Sequence, residues 1–471
     1  MAIPSTTRKP GQFHEIDLVS GAGGLTPLPN PVLLIGTMLV GGSATADEFV
    51  EVNDEAQGDL LFGAGSELAI MVRKAFETGK RIGAMPVLFG AGLATPAGVA
   101  ALFTMTVTGG PAAEAADIVF RIAGRILRAG VSKDDTDTDV AVAIVAAIDE
   151  VVDLLPVTAA SALGVVTLTT KYPGVTGNDI VVTVDDLGLS GVAVAVVASV
   201  VGTGVTDPTV ALDNSLAQYF EGKVIANHLA ADVAILEAHQ DEAWAPAAKR
   251  WNHAYLAETG TLATANVLST TSDDERIQVI TYEDSPALPS EIAAAVAVAV
   301  SSQEQANFNW DFFDLPLALP PDASVYTDTE IESALAAGST PLAPNDAGDT
   351  TQIVRLITTK TTEGGNPFEN AKDLATIRGL VRVIRQLDVT FSQQFKAQNK
   401  SALVLKRMRS VAYNILKLFE DIGVTQNVDA LFPQLLVSTD PAVATRALVN
   451  VPESIIPNLH QIVFTHVLFV E

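Results

Sequence analysis

The chain has 471 residues and carries 28 Lys and Arg against 55 Asp and Glu, a formal net charge of −27 and a pI near 4.5; this balance argues against direct nucleic-acid binding as its main task. It contains no cysteine, which excludes disulfides, thiolate metal sites and a cysteine nucleophile. Length implies about two to four domains, and 48% apolar residues with only 6% aromatics and 34 Gly form a small-residue composition suited to β-rich, closely stacked modules.

Taken in order, residues 1–30 hold Pro4, Pro10, Pro27 and Pro29 with Gly21, Gly23 and Gly24, so this stretch reads as an arm rather than a helix. Its opening has cations but no apolar h-region, so no secretory signal is expected. Inside the arm, Phe13, Ile16 and Leu18 belong to a run that alternates with Glu15 and Asp17, the pattern of one strand with one apolar face. Pro31 to Gly36 reads as a buried strand. Ser66 should cap a helix through Thr78 that Gly79 ends, and Met85 to Phe89 should be a second strand. Strand, helix, strand with short connections implies an α/β layer.

From about residue 100 to 205 the texture changes to short alternating runs: 101–107, 117–122, 165–170, 179–184 and 192–201, with one helix at 140–152. This reads as an inserted, mainly β domain. The α/β pattern then resumes, with expected helices at 212–220, 230–244 and 290–300 and expected strands at 223–227, 266–269 and 277–282. Residues 315–324 and 338–352 read as loops around a short helix at 330–336, and 353–358 as a strand. The end, from Ile455, is nearly continuous β-former after Pro457, with Ile462, Phe464, Val467 and Phe469 prominent. Both ends thus look like strands, which need a sheet to join. The longest small-apolar runs, 292–300 and 192–201, are about half the length needed to span a bilayer, so no membrane insertion is expected.

Residues 371–417 carry ten of the 28 cations against two acids. At 100° per residue, Arg378, Arg382, Arg385 and Lys396 fall within an arc of about 60° beside an apolar stripe of Ile377, Val381, Ile384, Phe391 and Phe395. A second helix, 402–420, repeats the design with Lys406, Arg409 and Lys417 on one side and Met408, Ile415 and Phe419 inward. Such flanks suit an acidic partner; the alternative is the solvated faces of two ordinary helices.

Signatures of catalysis are sparse. Gly79-Lys80 and Gly222-Lys223 lack the rest of a P-loop, and Ser66 after Gly63-Ala-Gly65 reads as a helix cap rather than a nucleophile. Asp135, Asp137 and Asp139 imitate the start of a calcium loop, but Val140 and Ala146 stand where Gly and Glu are required. The six histidines include no metal-binding pair, so no cofactor or metal is expected.

Several stretches, in order, resemble the tail sheath proteins of contractile-tailed bacteriophages, most closely the Mu-like branch. They are Pro10-Gly11; 31–38 (PVLLIGTM) with Leu61-Phe62-Gly63-Ala-Gly65-Ser66; Tyr172-Pro-Gly174-Val-Thr-Gly177-Asn178; 419–429 (FEDIGVTQNVD); Leu435-Leu436-Val437; and Pro452 with Asn458-Leu459. Two places depart from the family pattern: 395–405 (FKAQNKSALVL) and a stretched Asp440-Pro441 to Arg446 element.

The resemblance implies an α/β (α+β) multidomain chain: an arm and linker (1–30), a split α/β core (31–99 plus 206–454), an inserted β-rich outer domain (100–205) and a C-terminal arm strand (455–471). It implies a structural rather than catalytic role, as a homo-oligomer of stacked hexameric rings around a tail tube, with baseplate and tail terminator proteins as further partners. The location would be the virion, after assembly in the host cytoplasm. Arm strands carrying Phe13, Ile16, Leu18, Ile462, Phe464, Val467 and Phe469 would add to neighbouring subunits. Arg378, Arg382, Arg385, Lys396, Lys406, Arg409 and Lys417 would face the tube. An α/β enzyme, or another virion structural protein, is the competing expectation.

Overall fold

Val32, Leu33, Leu34 and Ile35 are all fully buried, and they alternate between two separate apolar clusters, Val32 and Leu34 in one, Leu33 and Ile35 in the other. A strand covered on both faces is the signature of a mostly parallel sheet between helical layers. The computed structural model describes residue 25 and residues 28–186, 191–369 and 372–461. The candidate arm residues Phe13, Ile16, Leu18, Ile462, Phe464, Val467 and Phe469 lie outside the described residues.

In chain order the elements are β1 (Val32–Thr37), β2 (Phe49–Val52), α1 (Glu55–Phe62), α2 (Glu67–Ile82) and β3 (Leu88–Leu93). Then come β4 (Leu102–Gly109), β5 (Ala116–Ile122), β6 (Arg125–Val131), α3 (Asp137–Asp149), β7 (Val157–Ala162), β8 (Val165–Thr170), β9 (Val182–Asp186) and β10 (Val192–Val200). The core resumes with α4 (Thr209–Asn214), β11 (Gly222–Ile225), α5 (Ala230–Ala243), β12 (His253–Glu258), α6 (Leu262–Ser272), β13 (Ile277–Thr281) and α7 (Pro289–Ser301). There follow β14 (Phe313–Leu315), α8 (Asp328–Ala337), β15 (Ser339–Pro344), β16 (Thr351–Ile353) and the two-residue pair β17 (Thr362–Glu363) and β18 (Asn366–Pro367). Last are α9 (Leu374–Phe395), α10 (Ala402–Asp421), α11 (Val428–Leu431), β19 (Leu436–Thr439) and β20 (Ala447–Asn450).

The chain divides into two compact units, one of 29–379 with the segment from 457, the other of 380–456 with the segment up to 28. In the first, nine strands form one sheet in the order β14-β16-β15-β13-β12-β11-β1-β3-β2, parallel from β15 to β3 and antiparallel at both ends. Helix α7 is buried along its whole length, as its Ala/Val sequence requires, and packs with α2 on one face. Helices α4, α5 and α6 cover the other face.

Residues 102–200 build two further sheets, β10-β4-β8-β7 and β6-β5-β9, with α3 filling the space between them. The second unit has its own small core of Val383, Ile415, Leu416, Phe419, Val424 and Val428, and its β19–β20 hairpin is a two-stranded sheet.

Several sequence expectations shift. Helix α2 continues through Gly79 and ends at Gly83, which is left-handed at φ 78. Gly79 serves close packing instead: a Cβ there would sit 2.3 Å from Met85 Sδ. The strand expected at 85–89 lies at 88–93. Residues 266–269 are helical, inside α6 with Thr261 as its cap, because a short apolar run cannot by itself distinguish helix from strand. The stretch 338–352 is a loop only at 345–350, between β15 and β16. Its β15 holds Pro341 and Pro344 because residues 339–341 pair only with β13 and 342–344 only with β16, leaving each proline a side that needs no donor. Strand β12 is not legible in the sequence because, unlike the equally buried β1 and β13, its residues HAYLAE include no β-branched side chain and carry His253 and Glu258 at the ends.

Candidate assembly surface

The basic stretch does form two long helices, α9 and α10, but its cations are put to different uses. Arg378 is 2% exposed. Its Nε donates to Glu221 Oε1 at 2.7 Å, its Nη1 and Nη2 donate to the carbonyls of Gln305 (2.9 Å) and Gln303 (2.6 Å), and its guanidinium lies 5.6 Å from the Trp310 ring centroid. That expectation is corrected: Arg378 is an interior group of the first unit and is not available to a tube. Arg385 is 8% exposed and presents little charge either. Arg382 is half-buried and donates to the carbonyl of Leu28 at 3.1 Å.

In α10, Lys417 pairs with Glu420 and, at 3.3 Å, with Asp429, and the hydrogen bond that it donates to Glu420 raises its pKa. Its charge is answered within the subunit. Arg409 lies 4.1 Å above the Phe432 ring and donates to the Phe432 carbonyl. Lys396 and Lys406 are exposed, as are Lys400 and Arg407, which sequence reasoning did not single out. The useful signal was local: five cations and no acid between Lys396 and Arg409. The exposed positive charge thus gathers around the α9–α10 turn rather than along α9.

In the same unit, β19 and β20 pair with each other and, among the described residues, with no other strand. The stretched Asp440–Arg446 element is the hairpin's loop: Arg446 Nη1 bonds Asp440 Oδ2 at 3.1 Å, and Asp440 N donates to the Arg446 carbonyl. Leu436 and Leu448 are exposed on these strands.

The remaining family-like motifs are structural. Ser66 caps α2 by accepting from Ala69 N. Gly63 and Gly65, at φ 88 and 76, make the tight entry to that cap, and a Cβ on Gly65 would meet the Leu155 carbonyl at 2.3 Å. Glu67 accepts from both the backbone and the hydroxyl of Thr37. Asn178 binds Gly202 as a strand would, accepting from its N at 2.6 Å and donating to its O at 3.1 Å. Beside it, Val99 and Thr203 exchange backbone hydrogen bonds. Together they close the neck through which residues 100–202 leave and rejoin the core. In the segment from 457, His460 bridges Asp311 (2.6 Å) and Asp373 (3.2 Å).

Three buried titratable groups of the first unit are strongly shifted. Lys223 bonds Ser215 Oγ at 2.7 Å and His239 Nε2 at 2.6 Å; burial, aided by Arg250, pushes it down to about 7. Burial and Lys223 push His239 down to about 3. Burial raises Asp179 to about 7, with His228 at 3.7 Å opposing the shift. Among the described residues no cluster of three or more His, Asp or Glu could hold a metal, and no helix is long and apolar enough to cross a membrane.

No protein-family model matches the chain. It is 35% identical over 180 residues to the Mu-like prophage FluMu tail sheath protein of Haemophilus influenzae; the match takes in 38% of this chain and 36% of that protein, so the chain spans about a third of the curated relative's length. Among solved structures, the sheath tail protein of Listeria innocua superposes with a TM-score of 0.54 at 15% identity over 93% of this chain and 94% of its own. That of Desulfitobacterium hafniense superposes with a TM-score of 0.50 at 16% identity over 95% and 100%. The anti-feeding prophage helical sheath, in its contracted state, gives 0.50 at 10% identity over 98% and 99%. The chain therefore has the sheath-protein fold along nearly its whole length and, through the matched part of its sequence, is related to a Mu-like prophage tail sheath protein.

Proposed function

We propose that this protein is a structural subunit of a contractile tail sheath, which stacks as hexameric rings around a tail tube and contracts to drive the tube through a host envelope. The observation that carries the reading is the coincidence of two likenesses, a sheath fold over more than nine-tenths of the chain and sequence kinship to a Mu-like sheath protein. The role is assembly rather than catalysis, with the virion tail as its place and the tube, baseplate and tail terminator as its neighbours. The two-stranded β19–β20 sheet supports linkage by strand addition, because both its edges offer backbone groups that an arm strand carrying Ile16 and Leu18, or Phe464 and Val467, can pair with. The exposed Lys396 and Lys406, with Arg409 beside them, support an acidic partner at the α9–α10 turn.

Negative-stain electron microscopy of the purified protein over a range of concentration and salt tests the reading. Hollow cylinders with six-fold end views are expected. Deletion of residues 1–19 should leave a folded monomer that forms none, whereas the variant K396E/K406E should form cylinders that no longer retain a tube. Compact particles under every condition would sink the proposal.

A further inference from the structure

Helix α2 presents Ile70, Arg73, Lys74, Glu77 and Arg81 to a cleft of about 400 Å³ within the first unit. The cleft's other walls are the β5–β6 turn, the start of α7 and the loops around Pro316 and Thr350. The β5–β6 turn reaches it because Ala123 and Gly124 are both left-handed, at φ 47 and 74, the two-residue hairpin geometry that follows strand twist. A Cβ on Gly124 would lie 3.3 Å from the Pro286 carbonyl, so the turn rests against the core and carries Arg125 to the cleft.

The cations here are unequally committed. Arg73 is 7% exposed and bonds Asp59, yet its Nη1 has no partner among the described residues; Lys74 pairs with Glu77 and the Pro316 carbonyl. Arg81 and Arg125 are exposed, and the side chain of neither forms a hydrogen bond or ion pair among the described residues. Acceptors line the same space: Glu291, raised by burial against the pull of Lys74 and Arg125, and Asp349. A simple multivalent anion would meet these carboxylates as like charges. A peptide segment brings carboxylates for the arginines and N–H donors for Glu291 and Asp349, which is what a mixed lining suits. In a protein of net charge −27, the acidic surface met in greatest abundance during self-association is that of another copy.

We propose that this cleft receives an acidic segment of a second copy of the chain, with Arg81 and Arg125 as its anchoring cations. The proposal rests on the assembly reading only in requiring that copies associate. It adds a charged contact distinct from the arms and from the α9–α10 turn.

Two measurements test it. Unlabelled and nitrogen-15-labelled copies of the R81K/R125K variant are mixed, treated with a zero-length carbodiimide and mapped by mass spectrometry. Cross-links from position 81 or 125 to Asp or Glu of the other isotope are expected. Separately, R81E/R125E should melt with the wild type and require at least tenfold higher concentration to associate. Cross-links confined to one isotope, or association of R81E/R125E at the wild-type concentration, would overturn the proposal. So would a melting shift with inorganic phosphate that is not accompanied by cross-links between copies, which would assign the cleft to a small anion. Copies that cross-link through these positions but never build cylinders would instead count against the sheath reading and leave this contact standing.

Discussion

Arg378 and Glu221 stand 157 residues apart in the chain and meet at 2.7 Å with side chains 3% and 4% exposed. Glu221 precedes β11 of the large sheet; Arg378 lies in the first turns of α9. Burying two charges costs several kcal/mol each, and the pair tolerates it because carbonyls of residues 303 and 305 take the remaining guanidinium donors and Tyr219 donates to Glu221. The pair joins the start of α9 to the sheet, a positional role that periodicity on α9 alone could not reveal.

Removing one partner leaves the other charged and buried. Arg378→Ala should lower unfolding stability by about 3–5 kcal/mol, read from urea denaturation, while R378M/E221L should cost less than either single change. A loss below about 1 kcal/mol for Arg378→Ala would show the pair to be solvated in solution.

Lys223 should make stability rise with pH in the alkaline range. Its folded pKa of about 7 lies below the unfolded value of 10.5, so between those limits the unfolded chain binds the extra proton. Stability is then fully present above about 10.5 and lost as pH falls toward 7, with a slope of up to about 1.4 kcal/mol per unit. Denaturation curves from pH 7 to 10 should show that slope in the wild type and a flatter profile in Lys223→Met.

Asp179 acts with the opposite sign. Its folded pKa of about 7 exceeds the reference value of 3.8, so its contribution is complete below about 3.8 and is lost as pH rises through 7. Asp179→Asn, which cannot ionise, should be more stable than the wild type at pH 8 by an amount on the order of a few kcal/mol and should lose that advantage near pH 4. Melting temperatures at the two pH values check the crossover.

At the neck, Asn178→Ala removes an acceptor and a donor from Gly202 at once. The expected loss is about 1–3 kcal/mol, and hydrogen exchange should rise at Gly202 and at the Val99–Thr203 pair before it rises in β1 or β12. Uniform exchange across all of these amides would mean that the neck does not open separately.

The sequence by itself determined the elements whose cause is local. Ser66 as the cap of α2, the Ala/Val-rich α7, the alternating runs that became β4, β5, β8 and β10, and the two long basic helices all follow from side-chain period and capping chemistry, which act over a few residues. The sheath resemblance was legible for a related reason: its motifs are tight turns and caps, such as Gly63 to Ser66 and Gly174 to Asn178, where few residues satisfy the backbone. Tertiary structure alone decided what each charge is for. Arg378, Arg382, Arg385 and Lys396 share one arc of α9, yet Arg378 is spent on Glu221, Arg385 is buried and Lys396 is exposed, because the surroundings of a helix face change along its length. The cleft beside Arg81 and Arg125 was likewise invisible, since its walls come from segments more than 200 residues apart that only the folded sheet and its hairpin turn bring together. Periodicity reports which way a side chain points; only the packed neighbours determine what it meets.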